Sequence, residues 1–315
     1  MNSKFYALSI LAIVSISLCT IPGIPGVTPG IGGGGGAGLE ITSFTAEPST
    51  VFSGNTVRII MEVENKGGTS VSNSEDLVWL TGSNFDAWST TSPIYEHFDR
   101  NMTAEDVVRG IPAGIKRFTW SLTAPSSGIT AGQTRTDMFI ARVYHEYETS
   151  ALGNIWIYTE TEAEAAKAAG RQMYKSSFTY TTGPVGVQIS VLPDPVVLYG
   201  TENSFTVTIK VSNLATGTIY SPNAVTYTEG SEDVSLTTTE INRVDVDVDA
   251  HADLSGYTDC EGTDQELVAG RDLTLICEVT VDTTNLATFK SYSFNVKVSY
   301  GYYTEKTASV TVQGR

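Results

Sequence analysis

The sequence contains few residues of the types that carry most protein chemistry. It has only 3 cysteines and 3 histidines in 315 residues, and its 19 basic residues are outnumbered by 35 acidic ones, giving a net charge of -16. Phosphates dominate the affinity of proteins for nucleic acids, and they repel so negative a surface. The composition therefore argues against DNA or RNA as a partner.

Motifs of the common enzyme classes are also missing. His145-Glu146 has no second histidine four residues on, so it is not a zinc-protease motif. The five-glycine run at 32–36 is not followed by Lys-Ser or Lys-Thr, as a nucleotide-binding loop requires. No Gly-x-Ser-x-Gly motif is present either. We predict that the protein is not an enzyme and needs no organic cofactor.

The N-terminus has the pattern of a segment that directs the chain to or across a membrane. Lys4 precedes an apolar run, Phe5 to Ile21, which is typical of a signal peptide or an N-terminal membrane anchor over residues 1–21. Cys19 resembles a lipobox cysteine, although bulky Leu18 replaces the small residue expected before it. Cleavage, retention and lipid attachment at Cys19 are the three alternatives, and each places the remaining chain outside the cytoplasm.

A flexible linker is predicted at 22–38. Its many Gly and Pro residues disfavour both helix formation and sheet pairing. The segment is therefore predicted to be a tether that holds the remaining chain away from the membrane surface. We therefore expect an extracellular protein at the cell surface, anchored to the membrane through its N-terminal segment.

A strand pattern that occurs twice predicts two β-domains. Val57, Ile59, Met61 and Val63 alternate with more polar residues, and Asn65 opens a turn. The same pattern returns about 147 residues later, at 205–213. We predict an all-β fold with two tandem immunoglobulin-like β-sandwiches, 39–184 and 185–315, behind the hydrophobic segment.

Other local signals complete this prediction. Thr161 to Gln172 is rich in alanine, with acids first and Arg171 last, which predicts one short helix. The glycine at 301 predicts a turn in a C-terminal hairpin. Phe118, Trp120, Trp79 and Trp156 lie in strand patterns and are predicted to be core residues.

Three segments resemble archaeal cell-surface repeat domains of the broad immunoglobulin-like group that includes CARDB domains and S-layer-associated repeats. They are ITSFTAEPSTVFSGNTVRIIMEVENKGG, FTWSLTAP and ARVYHEYETSA, at 41–68, 118–125 and 141–151. The resemblance implies a sandwich fold and a surface location, and covers most of 39–184 and, more weakly, 185–315. Residues 83–117 and the helix exceed a minimal domain and look like insertions.

Cys260 and Cys277 are the only cysteines beyond the leader. An even pair in an exported chain predicts a disulfide, because oxidising compartments favour it and no metal-binding spacing is present.

An acidic strand offers the best set of metal ligands. Asp245, Asp247, Asp249 and Asp253 alternate with apolar residues and share one face of the predicted strand. Such carboxylates suit Ca²⁺ if a neighbouring loop adds oxygens. The alternative is a solvated face whose charge prevents edge-to-edge pairing.

Two further surface features are candidates for modification or binding. Asn101-Met102-Thr103 is an N-glycosylation sequon, so Asn101 is either a glycan site or part of an unmodified loop. Trp88, Tyr95, Tyr300, Tyr302 and Tyr303 form aromatic groups that either bind sugar rings or protein partners or pack locally.

The sequence as a whole predicts a non-catalytic binding, scaffold or adhesion protein of the cell envelope, with envelope proteins or surface glycans as partners. A subunit of a polymeric filament or S-layer-associated lattice, hence a homo-oligomer, is the first alternative. An accessory carbohydrate-binding module is the second.

Overall fold

The computed structural model describes residues 38–72, 76–90, 93–106, 109–227 and 234–315. The predicted leader with Cys19 and residues 22–37 of the linker lie outside this part of the chain. Strands dominate it, so the all-β prediction is confirmed. Within these ranges, no helix has both the length and the apolar character needed to cross a bilayer.

Twenty strands and one α-helix form in the described ranges. The helix, α1, spans Glu160–Ala168. In chain order the strands are β1 (Leu39–Glu47), β2 (Thr50–Phe52), β3 (Thr56–Asn65), β4 (Asp76–Gly82), β5 (Ser89–Thr90), β6 (Tyr95–Glu96), β7 (Ile115–Thr123), β8 (Thr134–Thr159), β9 (Ser177–Tyr180), β10 (Val185–Leu192), β11 (Val196–Leu198), β12 (Ser204–Asn213), β13 (Thr218–Tyr220), β14 (Thr226–Tyr227), β15 (Val234–Ser235), β16 (Arg243–Ala250), β17 (Leu254–Ser255), β18 (Gly262–Glu266), β19 (Asp272–Val281) and β20 (Phe289–Gln313).

The central feature is an antiparallel ladder between the two longest strands, β8 and β20. It runs from Thr134 opposite Gln313 to Tyr158 opposite Phe289 with no shift of register. At about 3.3 Å per residue, the ladder is about 80 Å long. Side chains alternate in strands, so one face of this ladder carries the odd-numbered residues of β8 and the even-numbered residues of β20. That face is buried along most of its length.

Two four-stranded sheets cover this buried face side by side. The sheet β1-β3-β7-β5 shares one core with the ladder, and we call this sandwich the first lobe. The sheet β10-β12-β19-β17 shares a second core with it, the second lobe. Val57, Ile59, Met61 and Val63 are buried in the first core, as their alternation predicts. The larger sheet, which contains β8 and β20, is thus one layer of both sandwiches.

The lobes exchange chain ends, which differs from the predicted division at residue 184. Val310 and Val312 lie in the first core although they come from the second repeat. Ile155 and Ile157 lie in the second core although they come from the first repeat. Local alternation does not reveal this exchange, because each long strand keeps one periodicity as it passes between cores.

The predicted repeat is present in detail. Asn65 and Asn213 end equivalent strands and make the same three kinds of hydrogen bond. The Asn65 side-chain amide donates to the Thr69 and Met102 carbonyls, at 2.9 Å each, and its Oδ1 accepts from the Gly67 amide. The Asn213 amide likewise donates to two carbonyls, and its Oδ1 accepts from the Ala215 amide at 3.3 Å. Each asparagine therefore ties the strand end to the loop that follows.

The predicted hairpin at Gly301 is wrong, because β20 continues through this residue. Glycine is needed there for a close approach: a Cβ at position 301 would lie 1.9 Å from Cε2 of Tyr220. The predicted helix exists but is shorter, since it ends at Ala168 and Gly170 adopts φ +65°.

Residues 83–117, predicted to be an insertion, pack onto the first lobe. Trp88 is only 5% exposed, and its Nε1 donates to the buried carboxylate of Asp137 at 3.0 Å. Asn84 and Arg135 donate to the same carboxylate. The buried Asp137 carboxylate thus links this segment to the central sheet, together with the pairing of β6 with β4 and the hydrogen bonds from the Phe98 amide to the buried Asp76.

Candidate functional site

The most distinctive exposed feature is a group of aromatic rings at the second-lobe end of the ladder. It lies on the face of β8 and β20 that is turned away from the core. We call Trp156, Tyr174 and Phe289 the aromatic surface. Tyr174 is 60% exposed and Phe289 is 40% exposed, whereas Trp156 is half-buried.

The three rings are in mutual contact. The Trp156 ring centroid lies 4.8 Å from that of Tyr174 and 6.0 Å from that of Phe289. The centroids of Tyr174 and Phe289 are 6.4 Å apart. The ring planes are inclined to one another by 34° to 42°, so the rings present a faceted surface rather than a stack.

Regular structure fixes two of these rings, and a hydrogen-bonded loop fixes the third. Trp156 and Phe289 belong to the ladder, where Phe289 pairs with Tyr158 and stacks on its ring at 5.2 Å. Tyr174 lies in the loop after α1, and its amide donates to the Tyr158 hydroxyl at 2.7 Å. The buried Tyr158, on the same face as Trp156, therefore contacts both the Phe289 ring and the loop that carries Tyr174.

Polar side chains continue from the aromatic surface along the same face. Ser291 is opposite Trp156, and Ser293 is opposite Asn154. Further along β20, the side-chain amide of Asn295 donates a hydrogen bond to Oδ2 of Asp249 at 3.4 Å. Hydroxyl and amide groups that both donate and accept thus border the rings.

The predicted acidic face of β16 is present at Asp245, Asp247 and Asp249, of which the last two are exposed. The prediction that Asp253 shares this face is wrong, because β16 ends at Ala250 and Asp253 lies in the turn that follows. Asp245 and Asp253 have separate partners. Asp245 accepts from the Asp264 amide at 2.8 Å, and Asp253 binds Lys290 Nζ at 2.9 Å. In the described part of the chain, no group of three or more His, Cys, Asp or Glu is arranged to hold a metal ion. Calcium binding at Asp245, Asp247, Asp249 and Asp253 stays a prediction, which a thermal shift measured with Ca²⁺ and with EDTA would check.

The predicted disulfide is confirmed: Cys260 and Cys277 are bonded, with their Cα atoms 5.5 Å apart. Asn101 is exposed beside the buried Met102, and its glycosylation stays a prediction.

Trp88, Tyr300 and Tyr302 are buried, so of the two alternatives stated from sequence these three residues pack locally and do not form an exposed binding cluster. Phe118 and Trp120 are core residues as predicted, whereas Trp79 and Trp156 are half-buried. The alternation of side chains in β8 could have indicated this position for Trp156. Its neighbours Ile155 and Ile157 point into the core, so Trp156 must lie on the opposite face of the strand.

The second candidate region is the part of the ladder around Tyr147 and Tyr300, between the two lobes, which we call the waist. Tyr147 and Tyr300 are buried there, and a cleft of about 480 Å³ opens nearby, lined in part by Glu146, Glu148 and Pro222. Burial raises the pKa of both tyrosine hydroxyls. The two hydroxyls therefore stay neutral and serve as hydrogen-bonding groups rather than as bases. The Glu148 carboxylate is paired with Lys297 at 2.7 Å.

Comparisons with known proteins reveal only distant similarities. No protein-family model matches the chain, and no curated protein matches it. Among solved structures, Salmonella alpha-2-macroglobulin is 11% identical, with a TM-score of 0.25 over 89% of this chain and 16% of that one. E. coli alpha-2-macroglobulin is 10% identical, with a TM-score of 0.23 over 89% and 17%. The collagen adhesin of S. aureus is 11% identical, with a TM-score of 0.15 over 90% and 96%.

The chain thus spans about a sixth of the length of the two macroglobulins. TM-scores of this size carry no argument about function.

Proposed function

We propose that this protein is a non-catalytic scaffold or adhesion protein of the cell envelope, displayed outside the membrane by its N-terminal segment. The uninterrupted β8–β20 ladder carries this proposal. Twenty-five residue pairs join two cores, so bending between the lobes would break backbone hydrogen bonds or disrupt the packing of a core. We call the β8–β20 ladder together with its two lobes the bar. A stiff unit of this kind suits a protein that holds partners at a fixed distance.

The place where the linker meets the folded part supports the same function. Gly38 precedes Leu39, and the Leu39 amide donates to the Tyr147 hydroxyl at 2.8 Å. Tyr147 lies near the middle of the ladder. A tether attached there leaves both ends of the bar free for partners, either envelope proteins or surface glycans.

The resemblance to archaeal CARDB-like surface repeats, stated from sequence, is part of this proposal. It fits the pair of sandwiches, the disulfide and the acidic surface, all of which suit an extracellular protein.

The location is tested on the full chain in its native cells. We expect the chain in the membrane fraction, and we expect protease added to intact cells to degrade it. A chain that stays in the cytosolic fraction and is protected from the protease would overturn the proposal.

Stiffness and assembly are tested on the purified protein. Small-angle scattering should give a maximum dimension of about 80 Å or more, because the ladder alone has that length. Sedimentation at rising concentration separates a discrete scaffold, which stays at one size, from the filament subunit or lattice protein, which polymerises.

A further inference from the structure

We propose that the aromatic surface binds a neutral polysaccharide chain. This inference deepens the proposed function, on which it rests, by naming the partner class for one end of the bar. The site consists of Trp156, Tyr174 and Phe289, with Asn154 and Ser291 on the neighbouring strand positions.

The rings are suited to this ligand because they are exposed and already ordered. A pyranose has an apolar C–H face that an aromatic ring covers well, and aromatic side chains lose little conformational entropy on binding. Phe289 is stacked on Tyr158, and the loop that carries Tyr174 is anchored to the Tyr158 hydroxyl. The site is therefore preorganised, which lowers the cost of binding.

The neighbouring polar groups complete the match. Sugar hydroxyls both donate and accept hydrogen bonds, and Ser291 and Asn154 can do the same. These residues lie next to the rings along the ladder, since Ser291 pairs with Trp156 and Asn154 is two positions before it. An extended sugar chain lying along the strands would contact the rings first and then this polar row.

The size and shape of the surface disfavour other partners. Three partly exposed rings of about 150–250 Å² each fall short of the roughly 800 Å² per partner that a stable protein interface buries. The rings lie on an open strand face, whereas a small molecule needs a cleft that encloses it. An extended polymer is the ligand that gains enough contact on an open face.

Charge selects the class of polysaccharide. Asp247 and Asp249 are exposed on β16 of the same sheet face, and the chain carries a net charge of -16. The overall charge of the chain repels acidic polysaccharides and favours a neutral ligand, and Lys175, which follows Tyr174 in sequence and is exposed, is the reason that alginate is included in the test.

The test is affinity electrophoresis of the full chain in native gels that contain hydroxyethylcellulose, glycogen or mannan, with alginate as the anionic comparison. We expect at least one neutral polysaccharide to retard the wild-type protein, and alginate not to. Trp156→Ala and Tyr174→Ala should each weaken the apparent affinity about tenfold, since each removes one stacking ring.

The matched control is Tyr199→Ala, which removes a 52% exposed aromatic side chain outside the aromatic surface. It should be retarded like the wild type. Tyr174 is a loop residue, so Tyr174→Ala should keep the wild-type melting temperature even if Trp156→Ala lowers it.

Three results would overturn the proposal. They are no retardation of the wild type in any neutral gel, equal retardation of the wild type and both site variants, and stronger retardation by alginate than by every neutral chain. None of them alters cell fractionation or protease shaving, so failure of the sugar site is distinguishable from failure of the envelope location.

Discussion

Tyr147 and Tyr300 lie directly opposite each other in the central ladder, with their rings stacked at 5.9 Å and 18°. The Tyr147 hydroxyl accepts from the Leu39 amide, and the Tyr300 hydroxyl accepts from the Val185 amide at 3.2 Å. Leu39 and Val185 are the first residues of equivalent strands, one in each lobe. The two lobes are therefore related by an approximate two-fold axis close to this tyrosine pair.

We predict that the two tyrosine hydroxyls stabilise the waist. Tyr147→Phe and Tyr300→Phe should each lower the free energy of unfolding by about 1–2 kcal/mol, because a buried amide loses its acceptor. Chemical denaturation measures the change, and Tyr199→Phe, on the surface, should alter it by less than about 0.5 kcal/mol. Wild-type stability in both waist variants would contradict the prediction.

The exchange of chain ends predicts that neither sequence repeat folds alone. A fragment of 39–184 lacks Val310 and Val312, and a fragment of 185–315 lacks Ile155 and Ile157, all of which are buried. Neither fragment should show a cooperative thermal transition by circular dichroism, whereas the mixed fragments should regain one. A cooperative transition of 39–184 by itself would show that the exchange is dispensable.

Asp137 is a buried carboxylate that receives donors from Trp88, Asn84 and Arg135. Asp137→Ala should lower the free energy of unfolding by about 1–3 kcal/mol, because it leaves the buried Trp88 Nε1–H group without its acceptor. Asp86→Ala, an exposed neighbour in the same segment, should have little effect. Denaturant titration compares the two, and equal stability would show that Asp137 does not anchor the segment.

Asp76 predicts a pH dependence of stability. Burial raises the pKa of its carboxyl to about 6 from 3.8, and this outweighs the two hydrogen bonds at 3.2 Å from the Phe98 amide and the charge of nearby His97. The folded state then holds the proton more tightly than the unfolded state. This contribution to stability is present below about pH 4 and is lost as pH rises through about 6.

Asp76→Asn, which keeps the shape and cannot titrate, should remove this dependence. The melting temperature of the wild type relative to Asp76→Asn should fall between pH 4 and pH 7, as measured by calorimetry. Asp86→Asn is the control and should retain the wild-type profile. A constant difference across this range would mean that Asp76 has an ordinary pKa.

The disulfide between Cys260 and Cys277 should stabilise the second lobe. Its 17-residue separation corresponds to about 3 kcal/mol in the chain-entropy model, so reduction should lower the melting temperature. Cys260→Ser/Cys277→Ser should have the lowered melting temperature with or without reductant. Retardation by a neutral polysaccharide should persist below that temperature, because the aromatic surface lies on other strands.

Much of the fold could be predicted because its signals are local. Alternation placed Val57 and Val63 in the core, and the paired asparagines Asn65 and Asn213 marked equivalent strand ends. The aromatic surface could not be predicted in the same way, because Tyr174 and Phe289 are far from Trp156 in sequence. No local pattern shows that three rings from separate segments meet.

The sequence by itself determined the all-β class, the repeat and the disulfide, because side-chain period, turn residues and cysteine pairing act over short stretches of chain. Only the tertiary structure decided that β8 pairs with β20 throughout, since strand pairing between distant segments depends on backbone groups that all residues share. It also decided the role of Gly301, which could mark either a turn or a close approach. The structure shows a close approach, because the ring of Tyr220 packs against Gly301.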